Sequence, residues 1–191
     1  MYEWADQILC ATNATRININ NFVRQQKGFG EEPEIGDKII SLRNHWEEFS
    51  KSGNWALTNG AIGTITDCFR NSVHVPRYIY DKPVQFLFTS MKLEDDDVFN
   101  SLPIDYICLK NGQSPLTSKQ QYQMSVNKKC PAPPYEFAYA YGITCHKAQG
   151  SEWDKVLVFE ERFPFDPEEH KRWLYTAATR AKEKLVIIRK S

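Results

Sequence analysis

Phe137-Ala138-Tyr139-Ala140-Tyr141-Gly142-Ile143-Thr144-Cys145-His146-Lys147-Ala148-Gln149-Gly150-Ser151-Glu152 is the stretch on which the reading of the fold turns. Phe137 to Tyr141 reads as a strand, Gly142 punctuates it, and Thr144 to Gln149 reads as a short helix. Where strands give way to helices, α/β sheets bind their ligands, and this stretch brings a hydroxyl, an imidazole, an ammonium and an amide to that edge. Thr144 can cap the turn and donate to a phosphate oxygen, while Gly150 lets a backbone N–H approach an anion or a base.

The same rhythm continues on both sides. Lys155 to Phe159 reads as a buried strand, Lys171 to Ala181 as a helix and Leu185 to Ile188 as a final strand. Near the N-terminus, Ile8-Leu9-Cys10-Ala11 is a short apolar strand. Thr12-Asn13 then caps a helix marked by Ile17, Ile19, Phe22 and Val23, and Gly28, Gly30 and Pro33 end it. Connections of this kind predict parallel, right-handed βαβ units. Between Ile35 and Pro134 no long amphipathic helix is expected. Strand-like runs recur at Ile39 to Leu42, Ala61 to Cys68, Val84 to Phe88 and Tyr106 to Leu109, separated by turns at Gly53-Asn54, Asn59-Gly60 and Asn111-Gly112, as in a small barrel or meander. Pro131-Ala132-Pro133-Pro134 is an extended connector. The expected organisation is therefore one parallel-sheet α/β domain in two parts, 1–34 and 133–191, interrupted by a β-rich insertion over 35–132.

Bulk properties narrow the function classes. The 191 residues suffice for a real core, and 24 basic against 24 acidic residues give zero net charge, so any nucleic-acid contact must be local or shared with another domain. The five cysteines form no Cys-x-x-Cys pair, which signals neither a zinc site nor a disulfide framework; no structural metal is expected. No signal peptide and no apolar run of membrane-spanning length is visible, so the expectation is a soluble, cytoplasmic protein without a membrane partner.

A second informative stretch is Leu174-Tyr175-Thr176-Ala177-Ala178-Thr179-Arg180-Ala181, a helix of small residues that ends in polar reach. An arginine at a domain edge can neutralise charge developing on a transferred γ-phosphoryl group. Together, Ile143 to Glu152 and Tyr175 to Ala181 resemble motifs V and VI of superfamily 1 DNA helicases, in the branch of the RecD-like and Pif1-like enzymes that includes phage helicases. Ile8 to Arg24 is similar to motif IV of that family. Gly36-Asp37-Lys38-Ile39-Ile40 with Asn59-Gly60-Ala61-Ile62-Gly63-Thr64 resembles its SH3-like insertion.

The resemblance implies a RecA-like domain that uses ATP with Mg²⁺ and grips single-stranded DNA. By that resemblance Arg180 is the motif VI arginine that reaches the γ-phosphate and Arg16 the motif IV arginine that assists it. Glu152 bonds the nucleotide sugar, with Gln149 and Gly150 near the phosphate pocket. Thr144, His146 and Lys147 face the DNA, and the insertion helps guide the strand, with Trp55 in its Gly53-Asn54 turn a candidate for stacking on a base. Phe69 is expected in the core. The family also needs a P-loop, yet the sequence contains no Gly-Lys dipeptide. The phosphate-binding loop is thus expected on an N-terminal P-loop domain outside this chain, in one longer protein or a split partner, and the chain alone is expected to be inactive. Val156-Leu157-Val158-Phe159-Glu160-Glu161 superficially resembles a magnesium-holding strand but reads as an ordinary core strand, and Asp95-Asp96-Asp97 as a solvated loop. The alternative function is a non-catalytic nucleic-acid-binding or interaction module that keeps the fold.

Overall fold

The computed structural model describes residues 2–163 and 165–189. Its elements run in the order β1 (Gln7–Cys10), α1 (Asn13–Gln26), β2 (Lys38–Ser41), β3 (His45–Phe49), β4 (Ala56–Leu57), β5 (Ile62–Val73), β6 (Val84–Lys92), β7 (Val98–Asp105), α2 (Tyr106–Asn111), α3 (Ser118–Val126), β8 (Phe137–Tyr139), β9 (Gly142–Thr144), β10 (Trp153–Glu160), α4 (Pro167–Ala178) and β11 (Ala181–Arg189). They divide into two compact units, Met1–Gly28 with Ala140–Ser191, and Phe29–Tyr139.

In the first unit the strands form a sheet in the order β11-β10-β1-β9, and each described pairing is parallel. The inner strands carry continuous apolar runs, and Leu9, Cys10, Ile143, Val156 and Val158 are fully buried, whereas the edge strand β11 is largely exposed. Helix α1 begins where the Thr12 hydroxyl accepts from Thr15 N and stops before Gly28, whose φ of +79° suits a residue without Cβ. Asp166 caps α4 by accepting from the amides of Glu168 and Glu169, with Pro167 at the first helical position and Trp173 and Ala177 turned inward one turn apart. The approach of α1 to β9 is very close: a Cβ on Gly142 would stand 2.6 Å from Ile19 Cγ2.

The second unit is built on an antiparallel sheet, β7-β6-β5-β2-β8, with β3 and β4 as a separate pair. Ile39, Ile65, Met91, Phe99, Leu102, Ile104 and Phe137 make its core. Tyr135, two residues before β8, donates to Pro103 O at 2.7 Å and accepts from Asp105 N at 2.8 Å, so the chain entering β8 lies against β7, the opposite edge strand.

Four expectations are corrected. Phe137 to Tyr141 is not one strand: Phe137–Tyr139 pairs antiparallel with β2, and the chain then enters the parallel sheet as Gly142–Thr144, paired with β1. Thr144 to Gln149 is a succession of turns, with Lys147 N donating to Thr144 O and Ala148 N to Cys145 O, because Gly150 at φ +85° halts it before a regular helix can propagate. Tyr106 to Leu109 is helical instead of extended: Asp105 Oδ1 accepts from Cys108 N at 2.9 Å, and Gly112 closes the far end at φ +77°. Phe69 is 61% exposed and stacks on Phe88, with ring centroids 5.0 Å apart, since it lies on the solvent face of β5.

Candidate nucleotide and nucleic-acid interface

The parallel sheet sets the layout of the site. Thr12 and the start of α1 follow the C-terminal end of β1, Cys145 to Gly150 follow β9, and Glu161 follows β10, so these groups gather at one edge of the sheet. Strand β1 connects to β9 on one side while β10 lies on its other, which makes this edge a topological switch point. Arg180 stands immediately before β11, toward the opposite edge.

The turn that carries the motif residues spans the distance between those edges. Thr144 is buried at 9% exposure, and its carbonyl accepts from the amides of Lys147 and Ala148, so it closes the turn through its backbone. His146, Gln149, Gly150 and Glu152 are exposed and Lys147 is half-buried. The turn ends against Arg180, whose Nη1 donates to Ser151 O at 3.2 Å and whose own carbonyl accepts from Trp153 N at 2.9 Å. A further bond from Nε to Thr176 O at 3.2 Å holds the guanidinium over the last turn of α4. The two motif segments are therefore tied directly to each other.

Arg16 is 5% exposed, one turn into α1. Its charge pulls the Cys10 thiol down, but burial and the Glu161 carboxylate outweigh it and Cys10 is pushed up to about 12. Cys145 is likewise raised by burial, against the pull of Arg180. Trp55 lies in the second unit, 51% exposed, with its indole N–H donating to Asp95 Oδ2 at 2.7 Å. Its neighbours Glu94 to Asp97 would repel a phosphate backbone, so only the ring face suits DNA. Asp97 in that loop is held down to about 2 by the hydroxyls of Ser50 and Ser52.

Two residues outside the sequence reading organise this region. Asn20, 3% exposed on α1, donates from Nδ2 to Gly142 O and to Arg16 O at 2.9 Å each and accepts from Gly142 N at 2.9 Å. It thereby ties helix α1 to strand β9, and the signal available in the sequence was a polar residue breaking the apolar stripe of α1. Glu161 accepts from Ala11 N at 2.8 Å, Thr12 N at 3.1 Å and Thr12 Oγ1 at 3.0 Å, and also from the Thr15 hydroxyl. Its carboxylate occupies the positive end of α1. Glu160 is engaged as well: burial alone would raise its carboxyl, but His170 at 3.0 Å and Arg189 at 2.5 Å bring it below the usual range. Both acids of the strand that resembles a magnesium holder thus have partners inside the chain.

With this geometry in view, residues 139–188 match the family described as the UvrD-like helicase C-terminal domain. Among solved structures, the chain is similar to Pif1 helicases described as two coordinating enzymes unwinding forked double-stranded DNA, at 15% identity and a TM-score of 0.54, over 98% of this chain and 39% of that one. It is also similar to Pif1 from Bacteroides bound to single-stranded DNA, at 16% identity and a TM-score of 0.52, over 95% and 40%. The same enzyme in complex with ADP-AlF3 and single-stranded DNA matches at 15% identity and a TM-score of 0.54, over 95% and 39%. No curated protein sequence matches. The chain spans about two fifths of the length of those solved proteins. The resemblance to the C-terminal domain of superfamily 1 helicases therefore holds over residues 139–188, and the α/β fold with its parallel sheet resembles the Pif1 helicase domain.

Proposed function

We propose that this chain is the second RecA-like motor domain of an ATP-dependent DNA helicase, completed by a P-loop domain outside the present sequence. The observation that carries the reading is the direct tie between the two motif segments, Arg180 to Ser151 O and Trp153 N to Arg180 O. A group that senses a phosphate and a turn that touches DNA must be mechanically connected for hydrolysis to drive movement, and these bonds are such a connection. The solved Pif1 enzymes held with single-stranded DNA and with ADP-AlF3 support both ligands for this fold.

In this reading ATP with Mg²⁺ binds in the cleft formed with the P-loop domain. Arg180 approaches the γ-phosphate, Gln149 and Gly150 lie near the phosphates, and Glu152 bonds the sugar. Arg16, buried here, assists only once closure of that cleft uncovers it. The turn from Thr144 meets single-stranded DNA through His146 and Lys147, with Thr144 setting the turn's shape. The second unit is an SH3-like insertion; the hydrogen bonds that bring Tyr135 against β7 support a closed small barrel. Trp55 offers it a stacking face.

Binding of the chain to a fluorescent oligothymidylate, followed by anisotropy at several salt concentrations, tests the DNA half of the proposal. Affinity is expected to fall with salt, and Lys147→Ala to reduce the slope by about one unit, because one phosphate contact is removed. Affinity independent of salt would overturn it. A non-catalytic nucleic-acid-binding or interaction module is the second reading, permitted by the zero net charge; a longer protein that binds DNA yet never hydrolyses ATP would establish it.

A further inference from the structure

The chain carries no net charge, yet its charges are unevenly spread. From Gln113 to Pro134 there are three lysines, Lys119, Lys128 and Lys129, and no acid. The loop from His74 to Pro83, between β5 and β6, adds Arg77 and Lys82 against the single acid Asp81. Both segments belong to the second unit, and their packing joins them. Ile79 of the loop and Met124 of α3 are buried in one apolar cluster. Gln120 Nε2 donates to Ile79 O at 2.8 Å, and about two helical turns further on Asn127 Nδ2 donates to the Tyr78 hydroxyl at 2.9 Å, so the loop is bonded to one face of α3 at two points. Asn127 Oδ1 also accepts from Lys129 N at 3.0 Å, which sets Tyr78 and Lys129 on the same side chain.

The outer surface of this pair of segments has two properties. Ile79 N and Tyr80 N both donate to Pro76 O, at 2.8 and 3.2 Å, which leaves Arg77 and Tyr78 on the outside of a turn. Tyr78 is 73% exposed although its hydroxyl is engaged, so its ring is held in place while lying mostly in water. Tyr122 is 67% exposed, on the side of α3 away from Gln120 and Met124. The five cations are exposed as well, and among the described residues none of them is in an ion pair. The acid bonded to α3, Glu136, accepts from Gln121 at 2.9 Å and already pairs with Arg43 at 3.1 Å. Cations gathered without counter-charge gain when they replace the counter-ions of a polyanion. Aromatic rings set among them favour a polyanion with planar groups to stack, which nucleic acid has and a run of acidic side chains lacks.

We infer that α3 and the loop from His74 to Pro83 form a second nucleic-acid-binding surface that takes a single strand, its phosphates along Arg77, Lys128 and Lys129 and a base on the Tyr78 ring. A duplex keeps its bases stacked inside and has no use for that ring. None of these residues belongs to the stretches that resemble helicase motifs or to the turn of Trp55. The inference deepens the proposed DNA-binding reading by giving the second unit a grip of its own.

The whole 191-residue chain is titrated by fluorescence anisotropy with an oligothymidylate and with a duplex of equal length, at several salt concentrations. The variants are Lys128→Ala with Lys129→Ala, Tyr78→Ala, Tyr78→Phe and, for the motif turn, Lys147→Ala. All the second-unit substitutions fall on exposed side chains, and Tyr78→Phe keeps the ring while removing the bond to Asn127. The lysine pair is expected to lower the salt slope on the single strand by about 1.4 units, two phosphate contacts at about 0.7 each. Tyr78→Ala should weaken single-strand binding about tenfold and leave duplex binding unchanged, with Tyr78→Phe within about twofold of the parent. Losses in the second-unit variants with Lys147→Ala silent would sustain the inference and overturn the role given to the motif turn. Loss in Lys147→Ala with the lysine pair and Tyr78→Ala both binding as the parent does would overturn the inference alone. A loss confined to the lysine pair, or a duplex bound as tightly as the single strand, would overturn the assignment to a single strand. No binding of either DNA overturns both readings, and binding of polyglutamate in its place would assign the surface to an acidic protein segment.

Discussion

Asn20 holds both hydrogen-bonding groups of Gly142 in a place where water is excluded. Replacing it with alanine strands a buried N–H and a buried carbonyl, and the expected loss of stability is about 1–3 kcal/mol, read from urea unfolding. An unchanged unfolding midpoint would show that the clamp contributes nothing. Cys10 makes a second residue-level case. With its thiol pushed up to about 12, almost none is thiolate at neutral pH, and its burial leaves no path for reagent. Iodoacetamide at pH 7.5 is expected to label half-buried Cys68 and Cys130 well before Cys10, as mass spectrometry of tryptic peptides would reveal; Cys10 labelling first would contradict the packing around β1.

Among the elements, β3 offers a prediction in pH. The His45 ring stacks on Tyr135 with centroids 3.8 Å apart, and burial holds its pKa below the ordinary value, against the opposing influence of Glu136. The folded chain keeps the ring neutral while the unfolded chain takes up a proton at about pH 6.5, so the stabilising contribution is full above that pH and is lost as pH falls below it. Relative to His45→Phe, which retains a stacking ring without a titrating group, the parent should lose stability between pH 7.5 and 5.5 in urea titrations. Parallel loss in both proteins would remove His45 as the cause. Elements were legible in the sequence where apolar periodicity and caps agreed, as in β1, α1 and β10. They were misread where a local cap overruled strand-like composition, as Asp105 and Gly112 do for α2. Phe137 to Tyr141 exposed another limit, because a continuous apolar run carries no sign that its two halves serve different sheets. The motif residues were picked out by resemblance to a known family; Asn20 left only a polar break in the apolar stripe of α1, and Glu161 acts on Ala11 and Thr12, far along the chain, and leaves no local pattern.

At the scale of the whole molecule, the chain leaves its parallel sheet after α1, builds the second unit, and returns at Ala140 to add β9 beside β1. Everything the proposed motor requires from this chain, apart from the Trp55 stacking face, lies in the first unit, and the tie between Arg180 and the turn ending at Ser151 is its central part. The most direct measurement is the DNA-stimulated ATPase rate of the longer protein that the proposal requires, one carrying a P-loop domain, before and after Arg180→Ala, alongside affinity for single-stranded DNA. The account predicts a fall in the ATPase rate of about 10³-fold or more with DNA binding largely retained, as expected when a γ-phosphate arginine is removed. An ATPase rate left intact by Arg180→Ala would contradict it.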